Sequence, residues 1–409
     1  MNLRSLGSNF SLVGWFLFCA GAPVSIAASQ TGLAIFLGFQ LLTAPKQNYI
    51  RLLRWSLFWV WIAYLTTQGI AVFQGGNPLS NLKNVVQDEW FSLVLPVLFL
   101  NPTRVKDLQR GWAIFVSVAV VMAFYGIYQH FSGWDPIHQV RLAAMGKFHR
   151  AEGTVSFYLT YGAIQLLALV VGLSRALKQN SSKGEQILWY SAVGILFLSV
   201  MATYGRSLWL GMIPVVVWWF FTLNGRSKSI TATIAVVAIV GASFVIPELP
   251  NRVVSIGNSY VNQTRSNLFQ TAWRMVEAKP ILGHGIGGFD RDFDQFAGDY
   301  KYETRCHPHN DSLMVWVQSG IIGLIAFWLM WITYFRNLWK GFKRLRKTPN
   351  SETHWLIRAG TWGAITILIA GFFQCYYIDA EVASIFWVLI AMSASLSANL
   401  IDNRKVSTT

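Results

Sequence analysis

The sequence predicts an all-α, polytopic membrane protein with about twelve transmembrane helices. The first observation is composition: 54% of the 409 residues are hydrophobic and 12% are charged, with 28 Phe and 19 Trp, which is not the balance of a soluble globular chain. The second is a series of apolar windows, each near the ~20 residues that a bilayer-spanning helix needs. The third is the regular recurrence of Lys and Arg in every second loop.

The apolar windows define the predicted domain organisation. Spans one to nine occupy residues 1–247, an outer helical segment 248–311, spans ten to twelve 312–400, and a cytoplasmic tail 401–409. The first window lacks a clear small-residue cleavage site and is followed at once by more membrane sequence, so it is predicted to be a span. The windows lie at 9–27, 29–45, 54–73, 84–100, 111–131, 155–174, 186–203, 207–223, 229–247, 312–335, 356–377 and 382–400.

The basic loops predict the orientation. Lys and Arg follow the second, fourth, sixth, eighth and tenth windows, and cytoplasmic loops are the ones that retain positive charge. Both termini are therefore predicted to be cytoplasmic, with segment 248–311 outside. This bias explains most of the net charge of +15 but not the cations predicted on the outer face. Those cations are Arg141, Lys147, Arg150, Arg206, Arg252, Arg265, Arg274 and Arg291.

The outer segment contains the most informative sequence. Residues 260–278 have one helical face that includes Arg265, Leu268, Phe269, Ala272, Met275 and Val276, and Pro280 and Gly283 are expected to end that helix. A glycine-rich turn follows, and then HPHNDSL leads into the tenth span. Asn310 or Asp311 can cap that span, which places His309 at its outer mouth.

These residues resemble a known family. A helix opened by Arg, the phrase KPILGHGIGGF, His-Asn-x-x-Leu and then SGIIGLIAF are similar to the core signature of the O-antigen ligase and O-antigen polymerase superfamily, over residues 200–325. The resemblance implies a C-type glycosyltransferase of the bacterial inner membrane with a periplasmic active site. It implies a donor glycan on polyprenyl (undecaprenyl) diphosphate. Chain size, one dominant late outer segment and a Trp- and Arg-rich outer face favour a ligase acting on lipid A-core; polymerase and protein O-oligosaccharyltransferase remain alternatives.

The resemblance also implies site residues. Arg206 and Arg265 match the family's functional arginines and are predicted to bind the diphosphate. His309 is predicted to be the general base, with His307, two residues earlier, as the alternative. Arg150 falls in an R-x-x-G-T element similar to the family's. Each has a structural alternative: an interfacial arginine for Arg206, a solvent-facing residue for Arg265, a polar loop for Arg150 and a packed imidazole for His309. Further candidates for substrate binding are Arg150, Arg141, His307 and Asn310.

The chemistry accounts for these residue types. A neutral imidazole can accept the proton of a sugar hydroxyl, and arginine forks can stabilise charge that grows on a departing diphosphate. The sequence offers no metal-ligand spacing, and GHGIGGF does not follow a strand as a nucleotide fingerprint would. No cofactor or metal and no nucleic-acid partner is expected. The expected partners are the donor, the lipid A-core acceptor and membrane lipids.

A lipid or glycan transporter is the alternative from a different class. Ion-coupled transport usually places ionisable residues deep within spans or in broken helices of matched halves. In this sequence Asp88 and Glu89 lie near the end of one window, and the polar residues concentrate outside. This distribution favours chemistry at the outer interface over transport.

Overall fold

The computed structural model describes residues 3–155, 157–178, 181–223, 225, 263–298, 307–345 and 352–402, and most of these residues belong to α-helices. The predicted ninth span, 229–247, and most of the tail lie outside these residues. The helices are α1 (Leu3–Gly21), α2 (Ile26–Leu42), α3 (Gln47–Leu53), α4 (Ser56–Ala71), α5 (Pro78–Glu89), α6 (Val94–Leu100), α7 (Val105–Ser132), α8 (Tyr158–Ala176), α9 (Lys183–Ala202), α10 (Arg206–Thr222), α11 (Gln263–Ala278), α12 (Gly288–Phe296), α13 (Asp311–Leu345), α14 (Thr353–Ala370) and α15 (Ala380–Ile401).

Five of the described helices are long and apolar enough to cross a membrane: α7, α8, α9, α13 and α15. A sixth span results if α2 and α3, bent by 109° at their junction, count as one. Helix α10 is apolar but shorter. The predicted multi-pass architecture is therefore supported, whereas the predicted count of about twelve spans is not confirmed.

The fourth predicted window, 84–100, was wrong as a single span. Its residues belong to the end of α5, a 3-10 turn over Trp90–Leu93 and the short helix α6. The reason lies at Glu89, which is buried and accepts hydrogen bonds from the hydroxyls of Tyr64 (2.8 Å) and Tyr377 (3.2 Å). Because the Glu89 carboxylate is hydrogen-bonded inside the protein, it can be buried within a segment that hydropathy alone predicts to be one continuous span.

The hydrophobic core forms around α8 and α15, which are buried along nearly all of their membrane windows. Large aromatic residues fill the space between them and the surrounding helices, including Trp112 of α7, Trp331 of α13 and Trp387 of α15. The rings of Trp331 and Trp387 lie 5.9 Å apart. Helix α9, by contrast, is largely exposed, as expected for a helix that faces lipid.

Loop contacts divide the bundle into two ends. At one end Arg51 pairs with Asp402, and Lys178 pairs with Glu352. At the other end the first outer turn meets the 150–154 loop, and the start of α8 meets the residue before α15. Loops that the sequence predicts to share a membrane face thus contact one another in the described part of the chain.

The glycine-rich turn of the outer segment docks into a break in α13. Gly320 interrupts this helix with φ 68° and ψ −171°, a conformation that is essentially restricted to glycine. The turn inserts there: Ile321 N–H donates to Pro280 O (2.8 Å), and His284 N–H donates to Val317 O (2.7 Å). A Cβ at Gly320 would lie 2.0 Å from the carbonyl oxygen of Ile281. The KPILGHGIGG phrase is therefore the joint between the outer segment and the bundle.

The loop between α7 and α8 departs from an all-α description. It contains two antiparallel hairpins of two-residue strands: β1 (Trp134–Asp135) with β2 (Val140–Arg141), and β3 (Ala144–Met145) with β4 (Phe148–His149). The sequence predicts only a polar loop here, because strands of two residues carry no periodicity that could reveal them.

Candidate functional site

A loop that the sequence analysis placed inside a membrane span organises the site. The eleventh window was predicted to run over 356–377, but α14 ends at Ala370 and residues 371–379 form a loop. This 371–379 loop is apolar in composition, with the run GFFQCYYI, so hydropathy extends the span through it. Gln374 and Tyr376 are buried, which shows that the loop packs into the protein instead of crossing the bilayer.

The segment that carries His309 is bound to this loop residue by residue. The Asp311 N–H donates to Gly371 O (2.8 Å), and Asn310 Nδ2 donates to Phe372 O (3.1 Å). In the reverse direction, the Tyr377 N–H donates to Asp311 Oδ1 (3.1 Å). Asn310 Oδ1 also accepts from Leu313 N–H (2.8 Å), which is the predicted capping role. Both polar ends of Asn310 thus have partners within the protein.

His309 is held in one tautomer. Its Nδ1 is hydrogen-bonded to Gln374 Oε1, and an amide oxygen can only accept, so Nδ1 carries the proton and Nε2 holds the lone pair. The backbone of His309 has φ 55°, an uncommon value for a residue with a side chain. Burial lowers the pKa of His309, the bond to Gln374 opposes this, and the positive charge of Arg265 adds to it. The result is a neutral imidazole with an available basic nitrogen.

His307 lies against His309 as a second neutral imidazole. Their ring centroids are 4.5 Å apart, and the His309 N–H donates to His307 Nδ1 (3.3 Å). Burial first, and then the charges of His309 and Arg265, lower the pKa of His307 to about 4. Because the Nδ1 of His307 already accepts a backbone hydrogen bond, it supports the conformation of His309.

Three of the outer arginines converge on this place. Burial first, and then the positive charge of Arg265, lower the pKa of Arg206; the ring of Tyr158 opposes this, and the charge of Arg150 adds to it. Arg265 therefore lies close enough to Arg206 and to the two histidines for its charge to lower the pKa of all three. In the described part of the chain no carboxylate forms an ion pair with Arg150 or Arg265. Such a concentration of positive charge favours an anion.

The turn before α10 positions Arg206. Gly205 precedes the helix, and Tyr204 in that turn is buried with φ 53°. The next residue after Arg206, Ser207, shares a hydrogen bond of 3.0 Å with the hydroxyl of Tyr376 in the 371–379 loop. The same loop thus holds both Arg206 and His309. Positive φ at Tyr204 and His309 places local backbone strain at the two positions that flank the site.

Arg150 is brought to the site by its own anchored loop. Ala151 N–H donates to Ala202 O (3.1 Å), which ties the loop to the end of α9, just before the Arg206 turn. The guanidinium of Arg150 lies 4.3 Å from the ring centroid of Tyr158, a cation–π contact. The hydroxyl of Thr154 donates to Val24 O (2.9 Å), which further anchors this loop.

The remaining outer cations have other positions. Arg274 donates to Phe296 O (2.9 Å), and Arg291 binds Asp292 (2.7 Å) and His284 O (2.6 Å), so both stabilise the outer segment. Arg141 lies exposed on β2, and none of its described contacts joins it to the cluster. Arg252 lies outside the described residues. The structure therefore selects Arg150, Arg206 and Arg265 from a longer series.

Helix α11 carries Arg265 at its beginning, as predicted, but its buried face differs in part. Phe269 was placed on the packed face and instead is 45% exposed. Asn267 and Thr271 are buried instead, next to Leu268 and Met275. These four residues belong to the face of α11 that packs on α12 and α13. Arg265 is partly buried at its edge, where it can face the histidines.

Four residues of the site were missed by sequence reasoning: Gln374, Tyr376, Asp379 and Tyr158. Asp379 accepts a hydrogen bond from Thr160 (2.5 Å), which joins the end of the 371–379 loop to the start of α8. The signal that could have found them is polarity within apolar windows, since Gln374 and Tyr158 lie near predicted outer ends. Hydropathy averaged over a window conceals single polar residues.

The fold and the site together define a multi-pass membrane protein with a partly buried imidazole and an arginine cluster at one end of its helical bundle. Comparison with known proteins agrees: residues 191–328 match the family described as O-antigen ligase. This match supports the O-antigen ligase superfamily that residues 200–325 resemble.

Two curated relatives show how far the similarity extends. One is an O-antigen ligase of Salmonella typhimurium, 28% identical over 151 residues, which are 33% of this chain and 36% of that protein. The other is a protein of Rickettsia conorii assigned by name to the polysaccharide ligases, 23% identical over 185 residues, which are 42% of this chain and 43% of that protein. The matched regions cover less than half of each relative.

Proposed function

We propose that this protein is an O-antigen ligase that transfers a glycan from undecaprenyl diphosphate to a sugar hydroxyl of lipid A-core. The reaction would be metal-independent and inverting, at the periplasmic face of the bacterial inner membrane. The observation that carries the proposal is that one loop bonds both His309, through Gln374, and the start of the Arg206 helix, through Tyr376, while the charge of Arg265 acts on both His309 and Arg206. A base and an anion site thus adjoin, as group transfer from a diphosphate requires.

His309 takes the part of general base. The lone pair on its Nε2 accepts the proton of the acceptor hydroxyl as that oxygen forms a bond to the anomeric carbon of the donor. The bond between the anomeric carbon and the phosphate oxygen breaks, and its electron pair leaves with the diphosphate. Because attack and departure occur on opposite sides of the carbon, the configuration inverts. A positioned base contributes typically 10²–10⁴ in rate.

The arginines stabilise the leaving group. Arg206 and Arg265 bind the diphosphate oxygens through charge-assisted hydrogen bonds, worth about 1.5–3 kcal/mol each, and Arg150 adds a third cation. Negative charge on the diphosphate grows as the glycosidic bond breaks, so these contacts strengthen in the transition state. Guanidiniums can therefore supply the charge stabilisation that a divalent ion provides elsewhere.

The membrane arrangement belongs to the same proposal. Basic loops follow every second predicted span, which puts both termini in the cytoplasm and the site outside. The described contacts support this assignment because they collect the basic loops at one end of the bundle and the arginine cluster at the other. A lipid-linked donor would then reach the site from the outer leaflet.

The test is reconstitution of the purified full chain with undecaprenyl-diphosphate glycan and lipid A-core in the presence of a metal chelator. Ligase activity gives a shift of the acceptor band on a gel. Product formed only as longer donor chains would identify a polymerase, and glycan joined only to added protein would identify a protein O-oligosaccharyltransferase. Donor that crosses the bilayer without any product would identify a transporter. Turnover that depends on added divalent metal would overturn the metal-independent mechanism.

Two matched variants test the residue roles in that assay. His309→Ala removes the base and is expected to lower turnover by about 10²–10⁴. His284→Ala is the comparison, because His284 is a buried histidine of the same outer segment that binds Asp292 (2.9 Å) and Met275 O (2.9 Å), away from the arginine cluster. Full turnover by His309→Ala in folded protein would remove the proposed base.

A further inference from the structure

A cleft lies at the opposite end of the bundle from the arginine cluster. It has a volume of about 650 Å³, within the range typical of ligand sites, and it opens between α3, α6, α13 and α15. The length of helix α15 gives the distance between the cleft and the arginine cluster. This helix begins beside Asp379, near the cluster, and ends beside Asp402, at the cleft. Its 22 residues span about 33 Å, close to the ~30 Å of a bilayer core.

The cleft carries more positive than negative charge. Arg51, Arg54 and Lys340 line it, with Asp402 as the one lining carboxylate in the described part of the chain. Arg51 is already held by Asp402 (2.6 Å), by Asn399 Oδ1 (2.8 Å) and over the ring of Phe99. Arg54 and Lys340 are exposed and form no ion pair with any described residue. The side chains of Arg54 and Lys340 are therefore available to bind an anion.

Asn337 supplies an independent indication of a ligand. This residue lines the cleft, and its side chain is 7% exposed. Its Nδ2 is buried and has no hydrogen-bond partner among the described residues. Buried polar groups are nearly always satisfied, so a buried donor beside two cations indicates an acceptor that comes from a bound molecule.

Helix α3 forms one side of the cleft and carries exposed apolar side chains. Helix α3 turns by 109° from the direction of α2, as a helix that lies along the interface would. Its Tyr49, Ile50 and Leu53 are 42%, 62% and 53% exposed, and Ile50 lines the cleft. Cations and an unsatisfied donor that line the cleft, with exposed apolar side chains on α3 beside them, match a molecule with a phosphate head and acyl chains.

We propose that this cleft binds an anionic phospholipid, with its phosphate between Arg54, Lys340 and the Nδ2 of Asn337 and its acyl chains along α3. The site is separate from the arginine cluster and does not depend on the function proposed for it. A membrane supplies such lipids to every basic surface, but a built site retains one molecule when the bulk lipid is diluted.

The experiment is native mass spectrometry of the full chain, taken from micelles that contain equal amounts of phosphatidylglycerol and phosphatidylcholine. One retained phosphatidylglycerol is expected for the unaltered protein. The double variant R54Q/K340Q is expected to lower that retention about tenfold or more, as for lost charge-assisted bonds. K106Q/R110Q removes the same charges from an exposed basic stretch at the same predicted membrane face and should leave retention unchanged.

Two further arms sharpen the result. Asn337→Asp keeps the side-chain shape but places a carboxylate where the phosphate would lie, so retention should fall without loss of the cations. Glycerol 3-phosphate is the probe for a soluble anion: displacement of the lipid by it at millimolar concentration would assign the cleft to soluble phosphates. Equal lipid loss in R54Q/K340Q and K106Q/R110Q would show that only general surface charge is at work and would overturn the proposal.

Discussion

The Nδ1 of His309 donates a hydrogen bond to Oε1 of Gln374, 65 residues further along the chain. Gln374 belongs to a loop that also binds Ser207 through Tyr376, so one segment fixes both the imidazole and the start of the helix that carries Arg206. The imidazole of His309 and the start of the Arg206 helix are thereby held in a fixed position relative to each other. The bond also decides which imidazole nitrogen can act as a base.

Gln374 is expected to be a positioning residue for His309. Gln374→Leu removes the acceptor, so His309 can adopt the other tautomer, and kcat should fall about 10-fold to 100-fold. Gln374→Glu keeps an acceptor but adds a negative charge that raises the pKa of His309. The Gln374→Glu variant should be active at pH 8. As the pH is lowered, it should lose activity at a higher pH than the unaltered enzyme does, because its His309 is protonated earlier. Identical pH profiles for all three proteins would contradict this role.

The pH dependence of turnover should report the charge of Arg265. Because burial and Arg265 lower the pKa of His309 below its ordinary 6.5, the base stays neutral and kcat/KM should persist to below pH 6.5. Arg265→Gln removes the nearby positive charge, so the pKa of His309 rises and the acid limb moves to higher pH. Arg274→Gln, on the same helix but bonded to Phe296 O, should leave the limb in place.

Arg206 should act on the donor rather than on the acceptor. Arg206→Gln removes charge-assisted bonds to the diphosphate, so kcat/KM for the donor is expected to fall about 10-fold to 100-fold. The KM for lipid A-core should change little. Kinetics measured with each substrate varied in turn separate the two effects. A variant that loses acceptor affinity alone would assign Arg206 to the acceptor site.

His307 should make the protein acid-sensitive. Its pKa is lowered to about 4 in the folded state, whereas an unfolded chain would take up the proton near pH 6.5. The contribution of neutral His307 to the free energy of unfolding is therefore fully present above pH 6.5. As the pH falls towards 4, that free energy decreases by about 2–3 kcal/mol. His307→Gln removes this term, so the fall of Tm between pH 7 and pH 4.5 should be smaller. An unchanged fall would show that other groups dominate acid unfolding.

The break in α13 should be intolerant of any side chain. Gly320→Ala would require a backbone conformation essentially restricted to glycine and a Cβ 2.0 Å from Ile281 O. We expect a loss of about 2–4 kcal/mol and faster proteolysis of the outer segment. Gly38→Ala is the matched control, because Gly38 lies in α2 with nothing within 4 Å of a new Cβ. That change should be neutral or stabilising by up to about 1 kcal/mol.

The sequence predicted local helix features for a physical reason. His309 directly precedes an apolar helix that Asn310 or Asp311 was expected to cap, and Asn310 does so, because capping acts over three or four neighbouring residues. The helix that carries Arg265 was predicted from its periodicity, whereas the role of Arg265 was implied by the family resemblance. Phe269 was wrong because an amphipathic helix has more than one apolar stripe, and only its neighbours decide which stripe is buried.

By itself, the sequence determined the helical membrane class and the residue types available for chemistry, and it predicts an outer location for the late polar segment. These follow from composition and from patterns that repeat within one helix. Only the tertiary structure decided that Arg150, Arg206 and Arg265 meet while Arg274 and Arg291 do not, and that 371–379 is a loop that holds the site. Such contacts join residues far apart in the chain, and no local pattern encodes which partners burial will bring together.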